Sequence, residues 1–198
     1  MKGKSLLVSL CLLFISLTCC NNQVNLEDYG LKLSEQSKPG YFVHKFIGDS
    51  ISLAPDVYLF YGYKKLINNW IYTSEIATDD QIQSAERIIE NNSFIGDCED
   101  FAVIIMSLCR LKGIDAIFCL GKNKTDNNKG HVWIEVPICN QLDYDIKLQN
   151  RINQQLDANL TTSIRNDTVW LKFIQKEAIP NYELEYIVDY YGNLRKIE

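Results

Sequence analysis

Two residue types in this chain, a cysteine at a helix mouth and a histidine opening a strand, suit nucleophilic chemistry at a carbonyl. Cys98 lies in Gly96-Asp97-Cys98-Glu99-Asp100-Phe101, at the point where a long apolar segment begins. Unpaired N–H groups and the macrodipole at a helix start favour a thiolate. Asp97, Glu99 and Asp100 oppose a second anion, so the dipole alone does not ionise Cys98, and a neighbouring imidazole is needed. The chain holds only two histidines. His44, in Phe42-Val43-His44-Lys45-Phe46, has no chemically useful neighbours and reads as structural or surface. His131 opens the alternating segment His131-Val132-Trp133-Ile134-Glu135-Val136 directly after a polar loop. A third group must hold the other ring nitrogen and fix the tautomer, and a carboxylate on an adjacent strand is the natural choice.

The elements that must position these groups follow from periodicity. Phe101, Ile104, Ile105, Leu108 and Leu111 make a core stripe, widened by Ala102, Val103 and Met106, so this helix is expected to be central and buried. Gly113 is a suitable stop. Upstream, the aromatic stretch 56–75 predicts a helix around Tyr63 to Tyr72. A second helix is expected from Thr78, with a T-x-x-Q capping box to Gln81 and an apolar stripe of Ile82, Ala85, Ile88 and Ile89. Strands are expected at Asp115 to Leu120, at His131 to Val136 (ended by Pro137), at Thr168 to Ile174 and at Glu183 to Tyr191. A helix is expected around Lys147 to Leu160, and a turn at Gly192-Asn193. Helices first and strands last indicate an α+β domain.

The first twenty residues stand apart. Lys2 and Lys4 precede an almost unbroken apolar run from Leu6 to Leu17, a secretory pattern shorter than a membrane-spanning helix requires. Leu17-Thr18-Cys19-Cys20 resembles a bacterial lipobox with Cys20 as the acylated residue. The expected organisation is a removed signal peptide at 1–19, an N-terminal tether at 20–55 and a folded domain at 56–198. The chain would then be a membrane-anchored lipoprotein, periplasmic or cell-surface facing, held to the bilayer through acylated Cys20. Loss of Lys2 and Lys4 takes the formal charge from −5 to −7. That acidic balance, without basic runs, argues against a nucleic-acid partner.

Gly96-Asp97-Cys98-Glu99-Asp100-Phe101-Ala102, the apolar helix, Gly113-Ile114-Asp115-Ala116 and then His131-Val132-Trp133-Ile134-Glu135 resemble the transglutaminase-like superfamily. Its pattern is G-D-C-x-D-x-A, a helix ending in glycine, a strand, and H-x-W-x-E on the next strand. Trp70-Ile71-Tyr72 is similar to the segment that precedes the cysteine motif there. The resemblance implies a papain-like core, a central Cys-bearing helix packed on an antiparallel sheet, and a Cys-His-Asp triad. It makes Cys98 the nucleophile, His131 the general base and later acid, and the N–H of Cys98 an oxyanion donor, with Trp70 or Tyr72 a second donor. For the triad acid Asp189 is preferred, because it ends an apolar, strongly β-forming run; Asp143 and Asp145 remain alternatives.

The implied activity is hydrolysis, or acyl transfer, of an amide or peptide at the cell envelope through a thioester. The rival is a binding lipoprotein that keeps the fold without catalysis. No cofactor is expected. Calcium, which some relatives hold beside the cysteine, is weighed against a simpler arrangement: Asp97 caps the helix, Glu99 faces solvent and Asp100 supports nearby loops. No zinc spacing is present. Of the seven cysteines, Cys11 and Cys19 fall in the leader, and Cys109, Cys119 and Cys139 are expected as buried thiols unless two of them pair.

Overall fold

The computed structural model describes residues 25–73, 81–125, 130–140, 154, 161–174 and 182–197. Helices α1 (Leu26–Gln36), α2 (Tyr41–Ile47) and α3 (Pro55–Ile67) come first, with a 3-10 turn at Gly48–Ser52. The short strand β1 (Ile71–Tyr72), helix α4 (Ala85–Glu90) and β2 (Ile95–Gly96) lead into the long helix α5 (Cys98–Lys112). Six strands follow: β3 (Ile117–Asn123), β4 (Gly130–Asn140), β5 (Thr161–Arg165), β6 (Thr168–Phe173), β7 (Tyr182–Val188) and β8 (Leu194–Lys196). They form one antiparallel sheet in the order β5-β6-β4-β3-β7-β8, while β1 and β2 make a separate parallel ribbon. This is the α+β architecture with a central helix on an antiparallel sheet that the sequence implies.

Helix α5 is buried along most of its length, from Glu99 through Cys109. It packs on one face of the sheet, where Val132, Ile134, Val136, Phe118, Leu171 and Phe173 close the main core. Alternation puts the other residues of the same strands on the far face, where Cys119, Trp133 and Ile187 form a smaller cluster. Pro137 does not end β4, which continues to Asn140 across a register shift between Pro137 and Cys139. Beyond Glu135 the strand pairs with β6 alone, so a residue without an N–H is tolerated there.

The N-terminal tether is a correction: from Leu26 onward, residues expected to be tether are part of the core. Leu33 and Val43 are fully buried, with Phe46 and Ile47 beside them. Their polar neighbours are equally committed. The Glu86 carboxylate accepts N–H groups of Gly40, Phe42 and Val43 at 2.8–2.9 Å, satisfying the start of α2 from a different helix. The overall polarity of residues 21 to 40 hides one buried stripe, because a short helix needs only a few apolar positions to dock.

Other boundaries also move. Helix α3 ends at Ile67, so Ile71 and Tyr72 are strand rather than helix. Helix α4 starts at Ala85, capped by Ser84 accepting from Arg87 N–H at 3.2 Å; the proposed cap at Thr78 lies outside the described residues. Strand β6 lies where Thr168 to Ile174 predicts it; its partner β5 carries no such signal, and the two form a hairpin. Its turn, Asn166-Asp167, has positive φ at both positions (47° and 59°), the conformation that Asn and Asp adopt in tight two-residue hairpins. The signal peptide, Cys20, the helix expected around 147–160, Asp143 and Asp145 all lie outside the described residues, apart from Gln154. No helix among the described residues is long and apolar enough to cross a membrane.

Candidate active site

Cys98 is the first residue of α5 and is partly exposed. Its chain is led there by β2, whose pairing with β1 fixes Tyr72 opposite Gly96. Gly96 is required sterically: a Cβ there would lie 2.4 Å from an Asp100 carboxylate oxygen. Asp100 is itself buried, and accepts the backbone N–H of Gln83 at 2.8 Å and its side-chain amide at 3.1 Å. It therefore ties the segment before α4 to the helix mouth, the supporting role expected of it.

The other two acids depart from expectation. Asp97 occupies the N-cap position but its side chain makes no cap hydrogen bond. Glu99 is buried rather than solvent-facing, and the Cys98 thiol donates to its Oε2 at 3.1 Å. The donor atoms of Asp97, Cys98 and Glu99 lie within 4.8 Å of one another. Burial, and then the negative charge of Asp97, push the Glu99 carboxyl well above the usual carboxylate range. The Cys98 thiol is likewise pushed up, chiefly by burial and then by Glu99 and Asp97, while the backbone N–H of Val132 acts in the opposite direction by bonding the sulfur. These effects favour the neutral thiol at Cys98.

That Val132 contact brings Cys98 to the start of β4, where His131 precedes Val132; among the described residues no hydrogen bond joins the Cys98 sulfur and the His131 ring. The imidazole is buried and held by aromatic faces: Trp133 stacks at 6.1 Å and 20°, Tyr182 at 4.7 Å and 29°. The H-x-W-x-E spacing acquires a physical meaning here, since alternate residues of β4 share the far face of the sheet. Trp133 Nε1 donates to Glu135 at 2.8 Å, and fully buried Glu135 also accepts from Ser163 (3.0 Å) and pairs with Arg165 at 2.5 Å. Glu135 thus locks Trp133, and Trp133 backs the imidazole. Gly121, opposite His131 on β3, leaves room for that indole: a Cβ there would meet Trp133 at 2.7 Å.

Burial lowers the His131 pKa to about 4, so the ring is neutral and able to accept a proton at neutral pH. Its Nε2 is buried and has no hydrogen-bond partner among the described residues. In a triad one of the two ring nitrogens faces an orienting acid, and this one is open to such a group. Asp189 does not occupy it. On β3, Gly121 stands opposite His131 on one side and Leu184 on the other, whereas Val188 stands opposite Phe118. Asp189 follows Val188, about four positions or roughly 13 Å along the sheet from His131. Its carboxylate accepts the N–H groups of Tyr191 (2.8 Å) and Asn193 (2.9 Å) and the Asn193 amide (2.8 Å). Slight burial pushes the group up, but these bonds outweigh it and hold the pKa below the ordinary value. Asp189 closes the turn between β7 and β8. His44 is exposed on α2, as expected.

A family model of the transglutaminase-like superfamily matches residues 58–157, about half of the chain. The chain belongs to the transglutaminase-like superfamily. No curated protein and no solved structure matches it significantly. Membership in the transglutaminase-like superfamily fits a cysteine-dependent hydrolase or transferase.

Tyr72, one of the two oxyanion candidates named beside the Cys98 N–H, lies within electrostatic reach of the thiol. Its phenol is pushed up by burial and then by the charges of Cys98, Asp97, Tyr182 and Glu99. Trp70 is buried against Phe101, with its indole N–H unpartnered among the described residues. Sequence reasoning missed Tyr182 and the burial of Glu99. Tyr182 begins a strand more than fifty positions after His131 and meets it only through sheet order, so no local signal marks it. Cys109 and Cys119 are buried free thiols; the side chain of Cys139 lies outside the described residues.

Proposed function

We propose that the protein is an envelope-anchored, cysteine-dependent amide or peptide hydrolase, secreted by its leader and held to the bilayer through acylated Cys20. His131 takes the thiol proton as Cys98 Sγ attacks the carbonyl carbon, and the backbone N–H of Cys98 faces the developing oxyanion. Collapse of the tetrahedral species breaks the C–N bond, and His131 returns the proton to the leaving amine. Water then adds to the thioester, releasing the acid and the free thiol. An amine in place of water would give acyl transfer by the same steps.

One observation carries the reading: the backbone N–H of Val132 acts on the thiol at the start of α5, and Val132 directly follows, in β4, a neutral, aromatically clamped imidazole. The acid that completes a triad is assigned to the alternatives Asp143 and Asp145 in place of Asp189. Cys98→Ala tests the core of the reading. Hydrolysis of envelope peptides should fall by about three orders of magnitude or more; unchanged activity would overturn it and favour the rival, a binding lipoprotein without catalysis. Release of the full chain from membranes by Cys20→Ser tests the anchor separately.

The Asp97–Glu99 pair favours calcium as a second element of the site. Two buried carboxylates forced together, one driven toward its neutral form, are an arrangement that a divalent cation relieves. Asp97 and Glu99 would hold it, supplying some of the six to eight oxygens calcium needs. It would neutralise charge beside the thiol. Calcium should then raise the melting temperature of the wild type and not of Asp97→Asn; equal responses would exclude this site.

A further inference from the structure

We infer that the substrate is an extended polypeptide that adds as a third strand to the outer edge of β1, beside Tyr72, with an apolar side chain against Ile71 and Ile95. The inference deepens the hydrolase reading and rests on it for the chemistry at Cys98. Ile71 and Thr73 donate their N–H groups across the ribbon to Phe94 O and Gly96 O, both at 2.9 Å. In a parallel ladder successive residues address opposite sides, so the N–H and C=O of Tyr72 face away from β2. Among the described residues no strand pairs with that side.

Ile71 and Ile95 are Cα partners in the ribbon and are 58% and 43% exposed. Their side chains therefore stand together on one face. A single exposed isoleucine is ordinary, but this pair sits on the element that feeds the nucleophile. Ile95 precedes Cys98 by three residues, which limits the distance between their Cα atoms to about 11 Å. On the opposite face Tyr72, 43% exposed, lies within electrostatic reach of the thiol. A strand laid beside Tyr72 would place one side chain beside Ile71, on the face that Ile95 extends, and turn the next to the face of Tyr72. Main-chain bonds then give affinity and the apolar pair gives selectivity, the usual division in strand addition. A small free amide engages neither.

Binding is measured on the full chain carrying Cys98→Ala, by anisotropy of labelled peptides that differ at one position, Leu or Ser. Turnover of the same peptides is measured on the wild type. The Leu peptide should bind about ten-fold tighter than the Ser peptide, the scale typical of an apolar pocket. Adding Ile71→Ser and Ile95→Ser should abolish that preference, and N-methylation of one backbone amide should weaken binding about ten-fold. In an otherwise wild-type chain the same two substitutions should leave alkylation of Cys98 by iodoacetamide and the melting temperature unchanged. A preference that survives the double substitution, or indifference to N-methylation at every position, overturns the inference. Selective binding without wild-type turnover would leave the inference standing and overturn the hydrolase reading. Cys98-dependent turnover indifferent to Ile71 and Ile95 would do the reverse.

Discussion

The two ends of helix α5 are built to opposite rules. At its C-terminal end both long cationic side chains are bonded, although Arg110 Nε has no partner among the described residues. Arg110 donates to Ser34 O, to Ser34 Oγ (2.9 Å) and to Tyr190 O, and lies 4.3 Å over the Tyr190 ring. Lys112 donates to Ile51 O at 2.5 Å, and Gly113 closes the helix with φ 64°. At the N-terminal end Asp97 does not cap, Glu99 is buried against it, and His131 Nε2 and Trp70 Nε1 lack partners among the described residues. One end ties α1 and the β7–β8 turn to the core. The other retains polar groups at an energetic cost, the condition in which a site keeps reactivity. Asp189 belongs to the satisfied end.

The largest expected effect tests whether the uncomfortable end is reactive. His131→Ala should slow both turnover and alkylation of Cys98 by roughly two to four orders of magnitude, the range for loss of a general base. In the wild type the acidic limb of the alkylation rate should lie near pH 4, where the ring becomes protonated. A limb near the ordinary imidazole value would show that the ring is not buried as described.

Glu99→Gln comes next and should stabilise the protein. The folded-state pKa of Glu99 is raised, so the folded chain holds a proton that the unfolded chain loses as pH rises through the carboxylate range. Stability from this group is greatest at low pH and declines upward, until the folded carboxyl itself ionises. Without added calcium the gain from Gln should therefore grow from pH 5 to pH 8, by about 1.4 kcal/mol for each pKa unit of the shift. Denaturant titrations at the two pH values measure it, and a gain that shrinks with pH would contradict the assignment.

At the satisfied end, Arg110→Ala should cost about 2–3 kcal/mol through its charge-assisted bonds, with turnover by the folded fraction unchanged. Urea melts and kcat measured well below the transition separate the two. Asp189→Asn should have the smallest effect, below about 1 kcal/mol, since its bonds are exposed. Loss of catalysis in Asp189→Asn would break the contrast between the ends outright.

The legible parts of this molecule were the local ones. The stripe Phe101 to Leu111 and the stop at Gly113 fixed α5, and H-x-W-x-E marked the strand that carries His131, because a single repeat or turn encodes each of them. What failed required partners distant in sequence. Leu33 and Val43 looked like parts of a polar tether, since their burial depends on α5, α4 and Glu86 lying over them. Asp189 was a plausible acid by strand propensity, yet propensity is silent on sheet order and register.

By itself the sequence determined the family, the nucleophile and base candidates and the α+β order of elements, all set by residue type, spacing and hydrophobic period. Only the tertiary structure decided which acids face Cys98, what clamps His131 and where Asp189 ends up. Those outcomes depend on burial and strand register, which arise from contacts between residues tens of positions apart and leave no periodic trace in the chain.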